Sequence, residues 1–128
     1  MWQDQKEEIV EFCDRLRKDF PKLFGATPTS ICLGWHSLIY SLSNDLYKII
    51  EKLPDGERYR VAQIKEKFGG LRYYMDCETP EMTRLIQKAE GRSYKICEWC
   101  GDPGYQETHN WWIKTLCKAC HEKRKSQR

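Results

Sequence analysis

From residue 2 to residue 20 the apolar positions Ile9, Phe12, Cys13, Leu16 and Phe20 recur at three- and four-residue steps with charges between them. That is the period of one helix face, so an amphipathic helix is expected there. Pro21 closes it, and a loop with Gly25, Thr27, Pro28 and Ser30 follows. The run "GWHSLIYSLSNDLYKIIEKL" has a helical stripe of Trp35, Leu38, Ile39, Leu42, Leu46, Ile49, Ile50 and Leu53, and "PDGE" ends it with turn chemistry. The pattern then changes period. "RYRVAQIKEKFGGLRYYMDC" holds two β-rich runs around Gly69-Gly70, which predicts a β-hairpin. With the two glycines as the whole loop, Phe68 faces Leu71, Ile64 faces Met75 and Ala62 faces Cys77. Ala62, Ile64, Phe68, Leu71, Tyr73 and Met75 then share one nearly apolar face, broken by Glu66. The opposite face carries Gln63, Lys65, Lys67, Arg72 and Tyr74. "TPEMTRLIQKAE" predicts a third helix, with Thr79 as N-cap, Pro80 at its first position, and Leu85, Ile86 and Ala89 inward.

Composition narrows the class without naming a function. A chain of 128 residues with 40% hydrophobic and 32% charged residues is a globular domain, or one with a small satellite, rather than a disordered segment. The net charge of +3 hides an asymmetry, because residues 1–57 are net acidic and residues 58–128 net basic. A basic second half is compatible with nucleic-acid contact. The polar start "MWQDQKEEIV" does not read as a secretory signal, and no apolar run is long enough to span a membrane. A cytoplasmic, reducing setting is therefore expected, where closely spaced cysteines are metal ligands or redox centres rather than disulfides.

Cysteine spacing carries the chemistry. Cys97-x-x-Cys100 precedes Cys117-x-x-Cys120 by sixteen residues. Two such knuckles at this separation meet around one tetrahedral Zn²⁺, each turn presenting two thiolates. Gly101 supplies the turn after the first knuckle, and "WWIKTL" predicts a strand returning to the second. One structural zinc ion on Cys97, Cys100, Cys117 and Cys120 is the expectation, and metal would contribute folding energy to the segment directly. Cys13, Cys32 and Cys77 stand singly near apolar faces and read as packing residues. A nucleophilic cysteine paired with His36 or His109 has no local signature behind it.

Cys117, Cys120 and His121 also form a literal C-x-x-C-H run. Covalent haem attachment on it would leave Cys97 and Cys100 without a role and normally belongs to exported chains. A more pertinent match is that "LCKACHEKRK" and "CEWCG" resemble the zinc knuckles of HNH-type endonucleases, over residues 97–125. In that family the histidine matching His121 helps hold a catalytic metal, and an upstream histidine on a hairpin is the general base. Active members carry an Asp-His pair between the knuckles, whereas this interval offers "THNWW", with no carboxylate directly before His109. The resemblance therefore implies a treble-clef zinc module, with a metal-dependent nuclease as the enzymatic alternative. His121 is expected to be exposed on the first turn of a terminal helix; a site of three cysteines and His121, without Cys120, is a variant.

Charged and aromatic side chains supply candidate contacts. Lys65, Lys67, Arg72 and Tyr74 lie on the polar hairpin face, and Lys118, Lys123, Arg124 and Lys125 in the tail. Cations beside an aromatic can meet phosphate and stack on a base. On a strand Trp111 and Trp112 face opposite ways, so one is expected to be buried and the other available to a partner. Together with "GWHSLIYSL" and the terminal cysteines, "QIKEKFGGLRYY" resembles small phage and bacterial proteins of unassigned function. That resemblance implies a cytoplasmic accessory protein, of a kind that includes phage-encoded modulators of host enzymes and inhibitors of host defence. The combined expectation is an α+β fold: a helical domain with a central hairpin over residues 1–93, and over 94–128 a treble-clef or zinc-ribbon module with a basic terminal helix. The expected function is non-enzymatic binding of a macromolecule, a protein first and nucleic acid as the alternative.

Overall fold

The computed structural model describes residues 6–25 and 31–127. Residues 2–5 of the expected first helix, and Thr27, Pro28 and Ser30 of the loop after it, lie outside the described residues. The architecture is α+β, with helices α1 (Lys6–Asp19), α2 (His36–Glu51), α3 (Pro80–Ser93) and α4 (Lys118–Ser126). Strands β1 (Val61–Lys67) and β2 (Gly70–Met75) form one antiparallel hairpin, and β3 (Tyr105–His109) and β4 (Trp112–Leu116) form a second.

The core sits where the helical stripes and the first hairpin converge. Phe12 and Leu16 of α1, with Phe20, Leu23 and Phe24 after it, pack with Ile39, Leu42, Leu46 and Ile50 of α2. Met82, Ile86 and Ala89 of α3, with Ile64, Leu71 and Tyr73 of the hairpin, complete it. Leu38, Leu85 and Met75, expected inward, are only partly buried. Thr79 caps α3 as predicted, its hydroxyl accepting from the Met82 amide. Further along, α3 also satisfies the outer edge of β2. Ser93 Oγ accepts from the Leu71 amide at 2.9 Å and Glu90 Oε2 from the Tyr73 amide at 3.0 Å. Two strand donors that would otherwise be orphaned or exposed are thus covered by one helix face.

The hairpin register differs from expectation by two residues. Lys67 pairs with Gly70, Glu66 with Leu71 and Ile64 with Tyr73, so the loop is Phe68-Gly69. Both loop residues have positive φ, 53° and 79°, the backbone that a tight two-residue turn requires. Gly70 is a glycine for another reason: a Cβ there would lie 2.4 Å from the Tyr94 ring. An even shift keeps the faces, so Ile64, Leu71 and Tyr73 remain inward. Phe68, however, leaves the core for the turn and is 63% exposed. A bulge between Val61 and Gln63 makes Val61 the buried residue and leaves the expected Ala62 exposed.

Candidate metal centre

Each knuckle is built by local backbone bonds. Gly101 N donates to the Cys97 carbonyl at 3.0 Å with φ of 87°, and Cys97 N donates to Asp102 O at 2.7 Å. This turns the chain around the first pair. The second pair opens α4, Cys117 as its N-cap and Cys120 in its first turn. Knuckle, hairpin and helix in that order make the treble-clef arrangement, and they bring four sulfurs that are far apart in sequence to one point.

The Sγ atoms of Cys97, Cys100, Cys117 and Cys120 all lie within 4.8 Å of one another, the one such cluster of potential ligands among the described residues. Cys100 and Cys117 Sγ are 3.7 Å apart. A tetrahedron with metal–sulfur bonds of about 2.3 Å has edges of about 3.8 Å, so this spacing fits a four-thiolate site. Among themselves the thiols are unequal. Burial pushes Cys100 up to about 11 and raises Cys120 as well, whereas the amide of Cys120 lowers Cys117. A divalent cation is the charge that would hold all four as thiolates together. The four cysteines could hold one metal ion.

No known protein family, characterised protein or solved structure matches the chain. Its surroundings therefore speak for the site. Glu98, between the first two cysteines, is fully buried. Its Oε2 accepts from the Thr115 amide at 2.7 Å and its Oε1 from Lys114 Nζ at 3.3 Å. Its backbone N–H donates to Thr115 O at 2.9 Å, and its carbonyl accepts from the Gly34 amide at 2.8 Å. Trp35 Nε1 donates to Ile96 O at 3.0 Å. The approach is close enough that a Cβ on Gly34 would stand 1.9 Å from the Cys97 carbonyl oxygen. On the other side Thr115 Oγ1 donates to Gly69 O at 2.6 Å, and Gln106 Nε2 to Phe68 O at 3.3 Å. The cysteine module is thus tied to the entry of α2 by a backbone bond and the Trp35 indole, and to the tip of the first hairpin by the side chains of Thr115 and Gln106.

His121 departs from expectation. It is 2% exposed, with Nε2 donating to Tyr105 O at 2.8 Å and its ring against Tyr105 at 4.6 Å. Nδ1 faces Glu107 Oε2 at 3.1 Å, without the alignment of a hydrogen bond. The ring is turned into the β3–α4 contact, and Cys120, not His121, joins the sulfur cluster. The reason is pairing: a buried imidazole is tolerated where a carbonyl and a carboxylate face its nitrogens. Cys32, one of the single cysteines, is pushed up to about 12 by burial and by Glu98, so it stays a protonated thiol.

The predicted contact residues fall into two groups. Arg72 donates to Tyr94 Oη at 3.0 Å, Arg124 to the carbonyls of Glu107, His109 and Trp112, and Lys125 to Glu107 Oε1 at 2.7 Å. The Lys125 ammonium holds the Glu107 carboxyl below the usual carboxylate range. Among the described residues, Lys65, Lys118 and Lys123 form no ion pair. Lys67 lies 5.6 Å from the Phe68 ring and Tyr74 is exposed. The tryptophans also differ from expectation: Trp111 is 97% and Trp112 74% exposed. Trp111 is in the turn rather than the strand, because Asn110 and Trp111, both at positive φ, form the β3–β4 loop. An Asn at such a position is a signal that "THNWW" carried; β3 itself, "YQETH", has no apolar alternation to announce it.

Proposed function

We propose that the chain is a non-catalytic zinc protein that presents the β3–β4 tip to a protein partner. Zinc is the metal that a closed four-thiolate site of this spacing suits, and such sites are structural. The observation that carries the binding role is the pair of adjacent, solvent-facing indoles at Trp111 and Trp112. Tryptophan is enriched among the residues that dominate protein interfaces. The tip is also held before binding: Arg124 caps three of its carbonyls, from within a helix opened by two of the cysteines. A pre-ordered aromatic anchor loses little entropy on association. The setting implied by the resemblance to phage and bacterial accessory proteins, modulation of a host enzyme or defence system, belongs to the same proposal.

Nucleic-acid binding is the second reading, supported by the exposed Lys67 and Tyr74 on the first hairpin and by Lys118 and Lys123 on α4. It loses Arg72, Arg124 and Lys125 to internal bonds. The nuclease reading loses its metal-facing histidine, since both nitrogens of His121 are directed at Tyr105 and Glu107.

A photo-crosslinking amino acid at Trp111, with zinc-loaded protein in lysate, tests the proposal. A discrete protein adduct that Trp112→Ser abolishes, at unchanged circular dichroism, is expected. Nuclease-sensitive adducts, with retention on a nucleic-acid column that falls steeply with salt, would replace the first reading by the second.

A further inference from the structure

A second surface is separate from the zinc module's tip. Along the seam of α2 and α3, Leu38, Leu85 and Ile96 form a partly exposed apolar floor, walled on the α2 side by Ser37 and Ser41. The other rim is cationic. Lys88 and Arg92 lie one helical turn apart on α3, and Lys95 follows just past the helix end. All three are exposed, and among the described residues none forms an ion pair. One carboxylate, Asp45, lines the groove.

We infer that this groove receives an acidic amphipathic helix of a protein partner, its apolar side chains on Leu38, Leu85 and Ile96 and its carboxylates on Lys88, Arg92 and Lys95. Charge complementarity selects the occupant. Three unpaired cations in a row along one rim call for acidic groups spaced a turn apart, which a helix with Glu or Asp at every third or fourth position presents. The aliphatic floor selects against nucleic acid, whose backbone would leave it uncovered, and Asp45, on the α2 side away from the cationic rim, is the one lining group that an acidic helix must keep its carboxylates clear of. The shape also suits a helix, because a groove between two packed helices is where a third settles with i, i+3, i+4 anchors.

The test uses the full zinc-loaded chain and a fluorescein-labelled helical peptide of about 16 residues, leucines on one face and glutamates along its flank. Saturable binding is expected, with amide shifts confined to residues 37–45 and 85–96. The exposed double variant Lys88→Glu/Arg92→Glu should weaken it by about tenfold or more, and a peptide with lysines for glutamates should recover affinity for that variant. Trp111→Ser/Trp112→Ser should leave peptide binding unchanged, so this inference and the tip reading fail separately. Three results overturn it: no binding at millimolar peptide; equal binding of the lysine peptide by the wild-type chain; or tighter competition at the same residues by an oligothymidylate. Concentration-dependent self-association in sedimentation, abolished by the same double variant, would also overturn it by making a second copy the occupant.

Discussion

Gly34→Ala and Gly91→Ala are the same chemical change with opposite expected signs. At Gly34 the new methyl would stand 1.9 Å from Cys97 O and 2.6 Å from the carbonyl carbon and oxygen of Glu98. Real Cβ atoms essentially never come under 3.0 Å, and the obstruction is backbone, so the segments must part by more than about 1 Å. That parting loses the Gly34 N–Glu98 O and Trp35 Nε1–Ile96 O bonds, each worth about 0.5–1.5 kcal/mol net. Overpacking adds about 1–3 kcal/mol. Reduced freedom of the unfolded chain offsets about 0.4–1 kcal/mol. The net cost is roughly 1–6 kcal/mol against a total stability of about 5–15 kcal/mol. Gly91 lies inside α3 with nothing within 4 Å of its Cβ position. Alanine there should stabilise by about 0.5–1 kcal/mol. The assay is thermal and urea unfolding at fixed zinc concentration, where Gly34→Ala should melt roughly 4–20 °C lower. If Gly34→Ala unfolds within about 0.5 kcal/mol of wild type while Gly91→Ala behaves as stated, the junction yields freely, and close packing of the cysteine module on α2 is not a source of stability.

Three further outcomes are expected. Cys97→Ser should lower bound zinc from one equivalent to a substoichiometric level by elemental analysis and unfold the β3–α4 segment by proton NMR; a metal-free protein that keeps that segment ordered refutes the zinc assignment. Tyr73→Phe strands the buried Ser43 hydroxyl, which Tyr73 Oη meets at 2.9 Å, and should cost about 1–2 kcal/mol in urea unfolding, most of it recovered in the Tyr73→Phe/Ser43→Ala pair. Burial, aided by the Arg15 charge, lowers His36 from 6.5 to about 4, so the unfolded chain binds that proton more readily than the fold. Its share of stability is full above pH 6.5 and is lost as pH falls toward 4; His36→Phe, which keeps the stack on Phe12, should show a smaller loss than wild type across that window.

What was readable in the chain was what repeats locally. The helical period placed Phe12, Leu16, Ile39, Leu42, Leu46 and Ile86 in one core, and paired spacing placed the four sulfurs, because a face or a knuckle is decided by residues a few positions apart. Decisions made by distant neighbours were not readable. Gly69-Gly70 looked like a complete turn, yet Gly70 lies in β2 with the Tyr94 ring packed over it, and Phe68 accepts the positive φ instead. Glu98 and His121 are polar residues whose burial depends on Lys114, Thr115, Tyr105 and Glu107, none within a helical turn of them. Polarity predicts exposure until the partner is known.

Glu98 shows what that hidden pairing achieves. Burial raises its pKa while Lys114 and the Thr115 amide oppose the rise, so the carboxylate is a net expense in stability that those two partners only partly offset. Its return is geometric. Both oxygens are satisfied only when β4 lies with Thr115 and Lys114 beside the first knuckle, and the same residue's carbonyl holds Gly34. Sliding β4 by one residue would leave a buried carboxylate without its donors, a penalty of several kcal/mol. That penalty fixes the β3–β4 register relative to the cysteines and to α2. Together with Arg124, which holds the carbonyls of Glu107, His109 and Trp112 from α4, it sets the direction in which Trp111 and Trp112 project.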